Sequence, residues 1–121
     1  PFWLDNIPIK WNDNLKPTSQ HLQDIYDYVA LMDYRDRAEG GDGIISHAEN
    51  EMTYAANIGK EVVIGIETGP NEIKKVSFNH LTEIDMNREL ALVYKAFASQ
   101  RAFAGFVIHH FDTYKHWVTN R

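Results

Sequence analysis

Val62-Val63-Ile64-Gly65-Ile66-Glu67-Thr68-Gly69-Pro70 is the stretch on which the fold turns. Its apolar run is too short and too β-branched for a helix, and Thr68-Gly69-Pro70 closes it as a turn. An unbroken apolar strand is the pattern of a parallel sheet covered on both faces. The run ends on a carboxylate, Glu67, at the mouth of the strand. Two further buried runs end alike, one in Met32-Asp33-Tyr34-Arg35-Asp36 and one in Ile108-His109-His110-Phe111-Asp112-Thr113-Tyr114. Acids, imidazoles and phenols thus gather where strands stop, which is where α/β folds place their chemistry.

Working outward, helical patterns separate these strands. Ser46 and Glu49 have the spacing of a capping box, Ile45, Ala48, Met52 and Ala55 recur at helical intervals, and Gly59 ends the pattern with Lys60 beside its negative end. After the strand Glu61–Glu67 a long connection runs to about Asp85, with a strand-like excursion at Lys75-Val76-Ser77-Phe78. Met86, Leu90, Val93 and Phe97 then mark a second amphipathic helix, residues 104 to 111 a strand, and Tyr114, Trp117 and Val118 a short closing helix. Toward the start, residues 26 to 34 read as a strand and Thr18 or Ser19 through Ile25 as a short helix. Residues 5 to 17, broken by Pro8 and Pro17 and anchored only by Trp11, read as a loop. Pro1-Phe2-Trp3-Leu4 is already strand-like, with no initiator methionine, so the chain is expected to be cut from something larger. Four strands alternating with helices predict one α/β domain over residues 1 to 121 with a parallel sheet.

Composition narrows the function. With 44% hydrophobic and 24% charged residues the chain reads as a soluble globular protein, and no apolar stretch approaches the ~20 residues of a membrane span. A net charge of -5 supplies no basic surplus for phosphates, so neither nucleic acid nor an anionic membrane is expected as partner. Cysteine is absent, which removes thiolate chemistry and leaves the compartment undetermined. Gly40-Gly41-Asp42-Gly43 lacks the lysine and the strand-then-helix setting of a phosphate loop, and no serine sits in a nucleophile elbow.

Met32-Asp33-Tyr34-Arg35-Asp36, Gly59-Lys60-Glu61-Val62-Val63-Ile64-Gly65-Ile66 and Phe103-Ala104-Gly105-Phe106-Val107-Ile108-His109-His110 together resemble the last three strands of a glycoside-hydrolase TIM barrel. Met32 and Tyr34 match the Met-x-Tyr-Asp stretch of chitinase-like barrels, with Arg35 where the aspartate would be and Asp36 one place late. Glu67 matches the strand-seven glutamate that is the nucleophile in a large clan of retaining glycosidases. The resemblance implies half of a (β/α)8 barrel with Pro1–Leu4 as strand five, acting on carbohydrate without a cofactor. It also implies that the strand-four acid/base carboxylate would precede Pro1, so that hydrolysis by this chain alone is not expected.

On that resemblance Glu67 is the nucleophile or general acid/base, with Tyr34 and Asp36 positioning the sugar or the reacting group. His109, Asp33, Arg35 and Trp3 are the substrate-binding candidates, Trp3 by stacking on a sugar ring. Strand alternation puts Val63, Gly65 and Glu67 on one face, with Gly105, Val107 and His109 matching them, and turns His110 toward the helices. That alternation argues against His109 and His110 sharing a metal with Glu67, and no metal is expected. The blander readings are a salt bridge or loop cap for Glu67, an ion-paired loop for residues 33 to 36, and surface positions for His47 and His80, neither of which has an acidic partner at a suggestive spacing. Half a barrel would leave its inward face and both sheet edges bare, which predicts a homodimer or higher assembly, or a longer native chain. Alternatives are a non-catalytic sugar-binding or self-associating chain, and a metal-dependent hydrolase.

Overall fold

The computed structural model describes residues 7 to 120, so the expected strand Pro1–Leu4 and the stacking residue Trp3 lie outside the described residues. In chain order the elements are β1 (Pro8–Trp11), β2 (Asn14–Pro17), α1 (Thr18–Ile25), β3 (Tyr28–Leu31), α2 (Ile44–Ile58), β4 (Glu61–Glu67), α3 (Glu83–Phe97), β5 (Phe103–His109) and α4 (Phe111–Thr119). Two single turns of 3-10 helix, Lys74–Val76 and Phe78–His80, lie between β4 and α3. Among the described residues β3, β4 and β5 form one parallel sheet in that order, and β1 pairs only with β2, antiparallel. The fold is therefore mixed α/β, with three parallel strands described.

The sheet has two unlike faces. Val62, Ile64 and Ile66 are buried on one of them, packed in a common core with Ala48, Met52 and Ala55 of α2, Met86, Val93 and Phe97 of α3, and Trp117 of α4. Each of the valine, isoleucine, methionine and phenylalanine side chains contributes roughly 1.5–3 kcal/mol by leaving water, and that burial holds the helices to the sheet. The opposite face carries Tyr28, Ala30 and Met32 of the β3 segment and Val107 of β5, all exposed, with Val63 half-buried between them. Apolar residues on that face thus stand in water, and β4 reaches the site with one side packed and the other open.

Local chemistry accounts for the departures from the sequence reading. Residues 8 to 17 form a hairpin, because Asn12 and Asp13 both adopt positive φ, 49° and 63°, the conformation a two-residue turn between twisted strands requires. Pro8 and Pro17 are its terminal pair, where a missing N–H costs the ladder least. Helix α2 starts at Ile44 behind Gly43, ahead of the Ser46–Glu49 box, since the N–H groups of Ile44 and Ile45 find the carbonyls of Arg37 and Ala38 at 2.9 and 3.1 Å. A folded-back loop, not a side chain, satisfies those orphan donors. Gly59 ends the helix in the left-handed conformation, φ 71°. The strand-like Lys75–Phe78 is instead part of the two 3-10 turns, with Ser77 and Phe78 buried. Strand β3 is shorter than its apolar run, leaving the ladder after Leu31.

Candidate functional site

Parallel pairing brings the carboxyl ends of β3, β4 and β5 to one edge, with Glu67 in register with His109. The Glu67 carboxylate is held from both sides. Its Oε1 accepts the backbone N–H groups of Thr68 at 2.9 Å and Gly69 at 2.7 Å, and its Oε2 lies 2.9 Å from His109 Nδ1. The side chain is 15% exposed, and that of His109 53%. Hydrogen bonds to an ionised acceptor are worth more than neutral ones, so this cradle fixes the carboxylate in one orientation.

Tyr34 joins the pair through a missing side chain. A Cβ on Gly65 would stand 2.5 Å from the Leu31 carbonyl oxygen and 3.0 Å from Tyr34 Cε1, so only glycine leaves room for β3 and the tyrosine to lie against β4. The ring thereby reaches His109, stacked with centroids 5.9 Å apart. Burial, and secondarily the charge of Glu67, push the Tyr34 hydroxyl above its usual pKa. His110 sets its ring edge-on to His109 at 5.0 Å, across a cis peptide bond.

A segment that sequence reasoning passed over braces this edge. Ser77 Oγ donates to the Gly69 carbonyl at 2.6 Å and Asn79 Nδ2 to the Thr68 carbonyl at 2.9 Å, pinning the backbone whose N–H groups hold Glu67. The same segment carries His80, whose Nε2 is 2.7 Å from Asp36 Oδ2, while Asp36 N–H donates to the Lys75 carbonyl at 2.8 Å. His80, like His47, shows no acidic partner at a suggestive spacing in the sequence, and the fold supplies one to each. His47 Nε2 stands 2.8 Å from Asp42 Oδ1. The two pairs are 44 and five residues apart in sequence. Fold-back of the 70s segment creates the longer one, and nothing local announces it.

The remaining candidates divide. Asp33 is buried, 8% exposed. Arg35 is 7% exposed, its Nε bound to Asp42 Oδ1 at 2.9 Å and its Nη1 to the Tyr34 carbonyl at 2.7 Å. That geometry makes Arg35 a strut that fixes the backbone of Tyr34. Asp42 is the hub, since Lys75 also reaches its Oδ2 at 2.8 Å. Hydrogen bonds from Lys75, His47 and Arg35, in that order, hold its carboxyl well below the usual range despite the opposing cost of burial.

The sign of this linkage follows directly. A carboxyl whose folded pKa is depressed contributes stability above its ordinary value, near 3.9, and loses it as pH falls further toward the folded value. Asp42→Asn is expected to cost about 2 kcal/mol at pH 7, the scale of hydrogen bonds to a charged group. In thermal melts followed by circular dichroism the gap between variant and parent should shrink below about pH 4. A gap unchanged from pH 7 to pH 3 would contradict the ion-pair account.

Among the described residues no group of three or more His, Cys, Asp or Glu side chains is placed to hold a metal ion, and no helix is long and apolar enough to cross a membrane. Comparison of the chain with protein-family models, with curated proteins and with solved structures returns no match.

Proposed function

We propose that this chain is one half of a glycoside-hydrolase-like (β/α)8 barrel and that the carboxyl edge of its sheet binds carbohydrate. The observation that carries the reading is the meeting of Tyr34, Glu67 and His109, one from each of three consecutive parallel strand ends, at the edge where such barrels keep their sites. The uncovered apolar sheet face supports the half-barrel, because in a closed barrel that face is the packed interior. An apolar groove lined by Leu22, Val29, Ala30, Leu31 and Met32 runs beside β3, which is an edge strand among the described residues. It is the place a further strand, from this chain or a second copy, would take. Covering a few hundred Å² there at ~25 cal/mol per Å² is worth several kcal/mol, enough to favour a homodimer or a longer barrel.

In this reading Tyr34 offers its ring to a sugar face, Asp36 orients the ligand, and Glu67 meets the anomeric region. Two carboxyl groups about 5–9.5 Å apart are needed to hydrolyse a glycoside, and the family pattern places the second outside these residues. Binding without cleavage of the glycosidic bond is the behaviour expected of the chain by itself. The test is a glycan array followed by calorimetry on the parent and on Tyr34→Ala. At least one oligosaccharide should bind, and the substitution should weaken it about tenfold, the scale of one aromatic stacking contact. If no glycan binds, or if removing the ring leaves affinity unchanged, the reading fails. Light scattering that returns only the mass of one chain would remove completion by a second copy.

A further inference from the structure

The hydrogen-bond inventory of Glu67 assigns protons as well as positions. An ionised carboxylate accepts and cannot donate, so the 2.9 Å contact between Glu67 Oε2 and His109 Nδ1 requires the proton on Nδ1. A neutral His109 then carries its lone pair on Nε2, across the ring from Glu67. The carboxylate cannot swing away, because Oε1 is tied to two backbone N–H groups. The Tyr34 ring stacks on the imidazole with centroids 5.9 Å apart, while 53% of the His109 side chain stays open to solvent. A fixed tautomer, an orienting anion and a half-exposed ring whose second nitrogen keeps its lone pair are the parts of a general base.

We propose that His109 Nε2 is the proton acceptor of this site, that Glu67 is its positioning residue, and that the pair hydrolyses acyl esters, in the first instance those of sugar hydroxyls. Water gives its proton to Nε2 while its oxygen attacks the acyl carbon. The tetrahedral oxyanion then collapses, the sugar oxygen leaves and takes the proton back from Nε2, and the products are a carboxylic acid and a free hydroxyl. Glu67 offsets the imidazolium charge formed between the two transfers. No second carboxylate enters the scheme. The choice of sugar esters rests on the carbohydrate reading above; the dyad does not.

Two measurements on the full chain test it. Nitrogen chemical shifts of the His109 ring should show the Nδ1–H tautomer in the parent. Glu67→Gln, whose amide oxygen can keep the backbone contacts while its NH2 donates to Nδ1, should reverse that tautomer. Hydrolysis of 4-nitrophenyl acetate should fall about a hundredfold in His109→Ala and at least tenfold in Glu67→Gln, with His116→Ala unchanged. A parent that is no faster than the same protein lacking His109, or an Nε2–H tautomer in the parent, overturns the proposal. Ester cleavage that follows His109 in a protein binding no glycan would sink the carbohydrate reading and leave the dyad standing; glycan binding with His109-independent cleavage would do the reverse.

Discussion

Phe78→Ala is expected to destabilise the protein by about 3–5 kcal/mol, the usual cost of emptying a phenylalanine site in a packed core. Phe78 is fully buried and belongs to the cluster that unites β4 with α2 and α3. For a domain of this size the melting temperature should fall by roughly 10 °C or more. The effect should also reach the site. Phe78 lies between Ser77 and Asn79, whose side chains hold the carbonyls of Gly69 and Thr68 and so fix the cradle of Glu67. Hydrogen exchange at the Thr68 and Gly69 amides should therefore speed up more in Phe78→Ala than in the matched substitution in α3, Phe97→Ala, at a residue likewise buried in the core. Equal protection in the two variants would show that the 3-10 segment does not brace the carboxylate.

Gly65→Ala should be the most damaging single-methyl change in the sheet. The added carbon would stand 2.5 Å from the Leu31 carbonyl oxygen, a backbone atom bound into the β3–β4 ladder, and 3.0 Å from the Tyr34 ring. The strands must part or the tyrosine must leave. Overpacking of this kind costs typically 1–3 kcal/mol and here is expected at the upper end, because the obstacle is backbone and not the end of a flexible side chain. Chemical denaturation gives the stability change, and the ring-current shift of Tyr34 on His109 reports whether the stack survives. An alanine variant with parental stability and an intact stack would mean that the close approach of β3 to β4 is not required. Gly69, whose added carbon would meet only side-chain atoms, Glu67 Oε1 at 3.0 Å and Thr113 Cγ2 at 3.4 Å, is the milder comparison.

How much of this was legible beforehand depends on how local each cause is. Strand β4 coincides with the run read from the sequence, since seven residues bounded by a left-handed glycine and a Thr-Gly-Pro turn carry their own limits. Helix α3 was legible at Met86, Leu90, Val93 and Phe97, although its capping box, Thr82 with Asp85, lies outside the stretch those residues mark. Pro8 and Pro17 mask the hairpin in the sequence by signalling a loop, whereas Asn12 and Asp13, residue types that tolerate positive φ, carry the turn that forms it.

The sequence by itself determined that acids, imidazoles and phenols end the apolar runs, that Val63, Gly65 and Glu67 lie on one face of their strand, and that Gly105, Val107 and His109 lie on one face of theirs. Period-two alternation is a property of each strand alone. Tertiary structure decided which of those groups meet. The bond from Glu67 to His109 spans 42 residues, that from Asp36 to His80 spans 44, and the brace of Thr68 by Asn79 comes from a connection 11 residues further on that carries no pattern of a site. Register, loop fold-back and the space left by one glycine are set by packing between distant segments, and no window along the chain contains both partners.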